Sequence, residues 1–302
     1  MTAVLEPPPA SPGAEDLLTA RVRGRRRAAD LLASTGIVLS FALALAPLLL
    51  ILWFLVHKGI GIVDAGFLTK DIPFQPRATG PGMGPAVAGT LLITAAASAL
   101  AIPLGVLAAI YLTEFGSGGA LARLIRFLSG VMTGVPSVVV GLFIYVAWVT
   151  RVHAYSGFAG ALALACLMLP IVIRSTDEML QLVPHELREG SAALGARSFR
   201  TTFSVVIPSA LGGIVSGATL AVARAAGETA PLLLTIAVVN RTTWSLSGPN
   251  TTLSAQIFRN ATSPFQGAQD RAWGAALTLV ALVFALTVLA RALAGRCTAR
   301  QP

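Results

Sequence analysis

Five uncharged runs long enough to cross a bilayer, which takes about 20 helical residues, punctuate the chain. They are Leu31–Val56, Ala78–Thr113, Phe127–Thr150, Ala154–Ile173 and Ala272–Ala290. A sixth, Thr201–Asn240, is interrupted only by Arg224 and Glu228. The pattern predicts an all-α, polytopic membrane protein with six transmembrane helices, its membrane domain covering residues 30–295. Six crossings place both ends on one side.

Prolines and glycines modify these spans. Pro47 lies within the first and predicts a kink. The Gly- and Pro-rich segment His57–Pro85 reads as a loop packed over one membrane face. The short glycine-bearing turn Glu114–Arg126 joins spans two and three. Gly130, Gly134, Pro136 and Gly141 give the third span a small-residue face suited to close helix packing. Pro208 to Val239 is 32 residues, about 48 Å of helix at about 1.5 Å per residue. That exceeds a hydrocarbon core of about 30 Å, so the helix must tilt, break near Pro231 or begin outside the membrane.

The longest inner connection, 174–208, carries its own helix signals. In PHELREGSAALG (Pro184–Gly195) a proline stands at a first turn and a glycine at the end. It predicts a short helix lying across the membrane face. The segment Arg241–Arg271 reads as a polar outer loop, with Trp244 and Trp273 as interface anchors. Asn-x-Thr tripeptides at Asn240, Asn250 and Asn260 are read as chance matches in a Thr-rich region.

Composition agrees with the pattern: 55% of the 302 residues are hydrophobic and 12% charged, against about 25% charged in soluble domains. Cationic residues set the orientation. Fourteen would face the cytoplasm: Arg21, Arg23, Arg25, Arg26, Arg27, Arg123, Arg126, Arg174, Arg188, Arg197, Arg200, Arg291, Arg296 and Arg300. Seven would face outward: Lys58, Lys70, Arg77, Arg151, Arg241, Arg259 and Arg271. Both termini are expected in the cytoplasm, as in a multi-pass protein of a bacterial inner membrane. The net charge of +9 does not indicate nucleic acid, because its one dense run, Arg21–Arg27, directly precedes the first span. Residues 1–29 read as a disordered, basic cytoplasmic tail. Cys166 is placed mid-membrane and Cys297 in the cytoplasmic tail, so neither a disulfide nor a metal site is expected.

The candidate chemistry lies at Arg224 and Glu228. An ion within a bilayer costs at least about 2.5–3.5 kcal/mol, so such groups mark a pathway, a relay or a buried pair. Arg offers planar donors suited to bidentate contact with phosphate. Gly227 permits close approach, Thr229 adds a hydroxyl, and Pro231 can free backbone groups by breaking the helix. Glu228 can neutralise Arg224 in an empty pathway, or accept the P–OH proton of hydrogen phosphate. A pair that only holds the packing remains the structural alternative. No Gly-Lys-Ser/Thr phosphate loop exists, since the only lysines are Lys58 and Lys70. The chain is therefore expected to be no enzyme, and any ATP hydrolysis belongs to another subunit.

Two stretches resemble a known family. Glu189-Gly190-Ser191-Ala192-Ala193-Leu194-Gly195, nine residues, then Val205-Val206-Ile207-Pro208 resembles the signature of ABC importer permeases. Gly190 and Ser191 replace the usual alanines. Arg224-Ala225-Ala226-Gly227-Glu228-Thr229-Ala230-Pro231-Leu232-Leu233 resembles the RxxGETAPLL run of phosphate-specific ABC permeases, the A-type subunit above all. Supporting stretches are Gly82–Thr90, Gly134–Tyr145, Leu169–Leu180 and Thr262–Trp273.

The resemblance implies a type I ABC importer permease fold and a subunit of an ATP-driven phosphate importer. It implies a second homologous permease, two ATPase subunits carrying ATP-Mg, and an extracytoplasmic phosphate-binding protein; the chain itself would bind no cofactor. Glu189, Gly190, Ser191 and Gly195 would dock on an ATPase. Arg224, Gly227, Glu228 and Thr229 would line the pathway. Arg174 is a second candidate contact, or a cation that snorkels to the interface. A permease for another oxyanion or small solute, and an autonomous ion-coupled carrier, remain the alternatives at this point.

Overall fold

The computed structural model describes residues 24–77, 82–116 and 118–298, and all their regular structure is helical. The chain divides into two compact units, residues 1–54 and 55–302. The described part of the first unit belongs to helix α1 (Gly24–Gly59), which contains Pro47. The expected tail, residues 1–29, lies outside the described residues as far as residue 23, and α1 begins at Gly24.

In the second unit, the segment expected to be a loop contains short α2 (Ala65–Thr69). Asp64 caps it, accepting a hydrogen bond from Phe67 N at 2.5 Å. Phe67 is fully buried in a cluster with Ile72, Met83, Ala86, Leu253 and Ala275. Ile72 N also donates to the Asn240 carbonyl at 3.0 Å.

Helix α3 (Gly84–Phe115) ends in a π turn at Tyr111–Phe115. It packs against α6 (Gly157–Gln181), which Ser156 caps through Ala159 N. Their contact is built from small residues, as membrane helices without a hydrophobic driving force require. Ala97 and Ala101 of α3 meet Ala161, Leu164 and Met168 of α6, and a β-carbon on Gly105 would come within 2.7 Å of Val172 Cγ1.

The third span is not one straight crossing. Helix α4 (Ala120–Gly134) and helix α5 (Ser137–Val152) meet at 108°. Pro136 supplies no amide hydrogen and drives its predecessor out of helical geometry; Val135 is extended at φ −73°, ψ 128°. The connection before it is also shorter than expected, because α4 begins at Ala120 and takes Arg123 and Arg126 into the helix. Among the described residues, five helices are long and apolar enough to cross a membrane, or up to six if the bent pair counts as one span.

Beyond α6 come the short helix α7 (His185–Ala193) and long helix α8 (Ser198–Gly227). Of the three options for the over-long span, the break is realised: α8, which starts ten residues before Pro208, ends at Gly227. The break falls at Glu228–Thr229. Pro231 instead occupies the first turn of the next helix, α9 (Ala230–Thr235), where its missing amide hydrogen costs nothing.

The supposed polar loop 241–271 contains helix α10 (Leu253–Ala261), capped by Thr252 and buried at Leu253, Ser254, Ala255, Gln256 and Asn260. Asn250 and Asn260 are 1% and 8% exposed, which closes both to a glycosylating enzyme. Helix α11 (Gln266–Thr298) completes the order.

Candidate functional site

Helix α8 carries no charge between Arg200 and Arg224 and stops at Gly227, leaving Glu228 as its extended C-cap (φ −68°, ψ 132°). Because the helix ends there, its last carbonyls lack intrahelical partners. One is supplied from outside: the buried Ser254 Oγ donates to the Glu228 carbonyl at 2.9 Å, and Thr252 Oγ1 lies 3.1 Å from the same hydroxyl. The break is thus held by α10.

Arg224 Nε lies 3.6 Å from Glu228 Oε1, with the arginine side chain 70% exposed and the carboxylate 19%. Both line a cavity of about 250 Å³ with Met132, Thr133, Val135, Pro136, Ser137, Leu167, Pro170 and Ile171. Two interruptions therefore meet at one place: the bend between α4 and α5, and the end of α8. Irregular backbone is tolerated at membrane depth where it lines a cavity. The first turn of α5 starts at Ser137 in this wall, adding the partial positive charge of a helix N-terminus to that of Arg224. A cavity with one guanidinium, one carboxylate and a helix start can accept an anion and release it again. A larger groove of about 540 Å³ between α3, α8 and α11 is lined by aliphatic side chains, Thr219 and Thr287, and has no charge to offer one.

The predicted pathway residues are not all gathered there. Gly227 faces open space beside the pair. Thr229 begins α9, its carbonyl accepting from Leu232 N and Leu233 N at 3.2 Å each. Arg174, on α6, is exposed and paired with Glu178 at 3.1 Å. It lines a neighbouring cavity of about 180 Å³, and Thr133 borders both.

Arg126 and Asp177 also line that second cavity. Arg126 Nε lies 3.7 Å from Asp177 Oδ2 and its Nη2 donates to the Leu112 carbonyl at 3.1 Å. Asp177 also accepts from Thr113 Oγ1 at 2.7 Å. Glu114 pairs with Arg188 at 2.9 Å, both largely buried. The available signal was an excess of charge at the apparent span ends, which hydropathy alone assigns to the interface.

On α7, Glu189 and Gly190 are exposed, as are Leu187, Ala192, Ala193 and, at the helix C-cap, Leu194. Ser191 is half-buried, its hydroxyl 2.9 Å from that of Thr201. Gly195 takes φ +77°, a left-handed conformation that favours glycine and turns the chain toward α8.

Comparison with known proteins places this geometry. Residues 101–300 match the family described as binding-protein-dependent transport system inner membrane component. The phosphate transport system permease protein PstA of Yersinia pestis is 41% identical over 261 residues, covering 85% of this chain and 88% of that protein. PstA 1 of Mycobacterium tuberculosis (strain H37Rv) is 39% identical, covering 88% and 87%. PstA of Haemophilus influenzae is 39% identical, covering 80% and 85%. In fold, the chain is similar to a subunit of the MetNI methionine ABC transporter in an inward-facing conformation, with TM-score 0.59 and 18% identity over 72% of this chain and 97% of that one. With that helical architecture and this identity along most of its length, the chain belongs to the binding-protein-dependent transport inner-membrane components and, among them, to the PstA phosphate permeases.

Proposed function

We propose that this chain is a membrane permease subunit of an ATP-driven inorganic phosphate importer, and that the cavity at Arg224 lies on the phosphate path. The observation that carries the reading is an exposed guanidinium at the meeting of two helix breaks, in a chain otherwise apolar around it. Glu228 neutralises Arg224 while the path is empty, so an entering phosphate competes only for the arginine. Arg174, in the adjoining cavity, is the next cation along that path.

The assembly we infer has a second homologous permease, two ATPase subunits on the cytoplasmic side and a phosphate-binding protein outside. Its ATPases take hold at α7 around Glu189, Gly190, Ser191 and Gly195, and their ATP-Mg is the energy source. Both termini of this chain lie in the cytoplasm, on the side favoured by its arginines.

Uptake of labelled phosphate by cells lacking this gene is the test. Loss of high-affinity, ATP-dependent uptake, restored by the intact gene, supports the reading. Normal phosphate uptake with loss of uptake of another solute overturns it.

A further inference from the structure

Helix α7 has no buried residue, so apolar burial does not hold it in place. What holds it is polar, and most of it converges on one side chain. Arg188 Nη1 donates to the Val183 carbonyl at 2.5 Å, and Nη2 donates to the Leu180 carbonyl at 2.9 Å and to Glu114 Oε1 at 2.9 Å. The two carbonyls belong to the inner end of α6 and the turn after it, where a helix terminus leaves acceptors unsatisfied. Glu114 belongs to the π turn that ends α3. Its second oxygen, Oε2, lies 3.5 Å from Thr202 Oγ1, at the start of α8. One guanidinium therefore joins α7 to the ends of two spans, and through Glu114 it reaches a third.

Beneath this joint the same three spans share an apolar core. Ala109 and Ile110 of α3, Leu180 of α6, and Val206, Ala210 and Ile214 of α8 are buried together. A load applied to α7 thus enters a packed block through Arg188. The fork geometry matters: arginine presents several donors in fixed directions, and lysine cannot satisfy three acceptors in the same plane. With side-chain exposures of 19% and 11%, Arg188 and Glu114 are too well shielded to be a screened surface pair.

We infer that Arg188 is a positioning residue for transport: it locks α7 to the inner end of α3 through Glu114, so that displacement of α7 by an ATPase moves the membrane spans. The inference rests on the importer reading above. It concerns neither the anion cavity nor the face of α7 that meets the ATPase.

The experiment uses the complete transporter in lipid vesicles, with phosphate entry and ATP hydrolysis measured on the same sample per assembled complex. Arg188→Gln is expected to raise the ATP consumed per phosphate by roughly tenfold or more, the scale of a charge-assisted hydrogen bond. Arg188→Lys and Glu114→Gln, which each keep part of the joint, are expected to raise it less. A purely structural role would lower both rates together and leave the ratio unchanged, and that result overturns the inference.

A second readout needs no cargo. Spin labels at Ala192→Cys and Leu107→Cys, in a background without Cys166 and Cys297, report the spacing of α7 and α3. The spacing is expected to stay constant on ATP binding in the parent and to change in Arg188→Gln. An identical response in both overturns the inference, even if Arg188→Gln transports poorly. Failure of the parent transporter to move phosphate would instead count against the importer reading, and the label distances would still decide the role of Arg188.

Discussion

A β-carbon on Gly141 would stand 2.5 Å from Cα of Pro231. Helix α5, which follows the bend, therefore rests almost backbone to backbone on α9, which follows the break. The two interruptions that border the Arg224 cavity are braced against each other by this contact. Gly141→Ala is expected to destabilise the protein by about 1–3 kcal/mol through overpacking. Gly130→Ala, with nothing within 4 Å of its new carbon, should leave stability unchanged or raise it. Thermal unfolding of the two variants in detergent checks the contrast.

Ser254 holds the break from the other side. Its hydroxyl is the donor to the Glu228 carbonyl, and removing a buried partner costs about 1–3 kcal/mol. Ser254→Ala should lower the unfolding midpoint and slow phosphate uptake, whereas Ser254→Thr, which retains the hydroxyl, should recover both. Equal uptake in the alanine and threonine variants would show that the bond does not position Glu228.

Glu228→Gln separates two roles for the carboxylate. If it neutralises Arg224 in the empty path, the amide variant holds the anion longer: half-saturation falls to lower phosphate, turnover drops, and sulfate still fails to compete. Competition by sulfate would show instead that Glu228 recognises the P–OH proton.

Arg174 allows transport and stability to be told apart. Its pair with Glu178 is exposed, with side chains 72% and 58% accessible, and such pairs contribute about 0–1 kcal/mol. Arg174→Gln should unfold at nearly the parent temperature while phosphate uptake declines. Unchanged uptake would return Arg174 to the role of an interfacial cation.

Much of this arrangement is legible in the sequence because it depends on local rules. Long apolar runs mark the spans, and Gly195 marks the end of α7 through its left-handed backbone. The breaks were harder to place. Gly134 and Pro136 stand inside an uncharged run, and hydropathy sums over a bend without registering it. At the second break, Pro231 drew attention away from Gly227 and Glu228, although a proline at a first turn starts a helix more readily than it ends one. Helix α10 was hidden because its buried face includes Ser254, Gln256 and Asn260, polar residues that find partners only in the folded chain. The pairs Arg126–Asp177 and Glu114–Arg188 join positions far apart in sequence, and nothing in a single sequence states which distant charges meet.

The central claim is that Arg224 handles phosphate. Arg224 is 70% exposed but its partner Glu228 only 19%, and removing the cation leaves that shielded carboxylate unpaired, so assembly has to be measured alongside transport. The decisive measurement is ATP-driven entry of labelled phosphate into vesicles containing the complete transporter, with Arg224→Gln compared with the parent at equal amounts of assembled complex. A loss of roughly a hundredfold, matching the loss of a charge-assisted, bidentate contact, is the predicted result. Parent-level entry in Arg224→Gln, or a loss that only follows a loss of assembly, would contradict it.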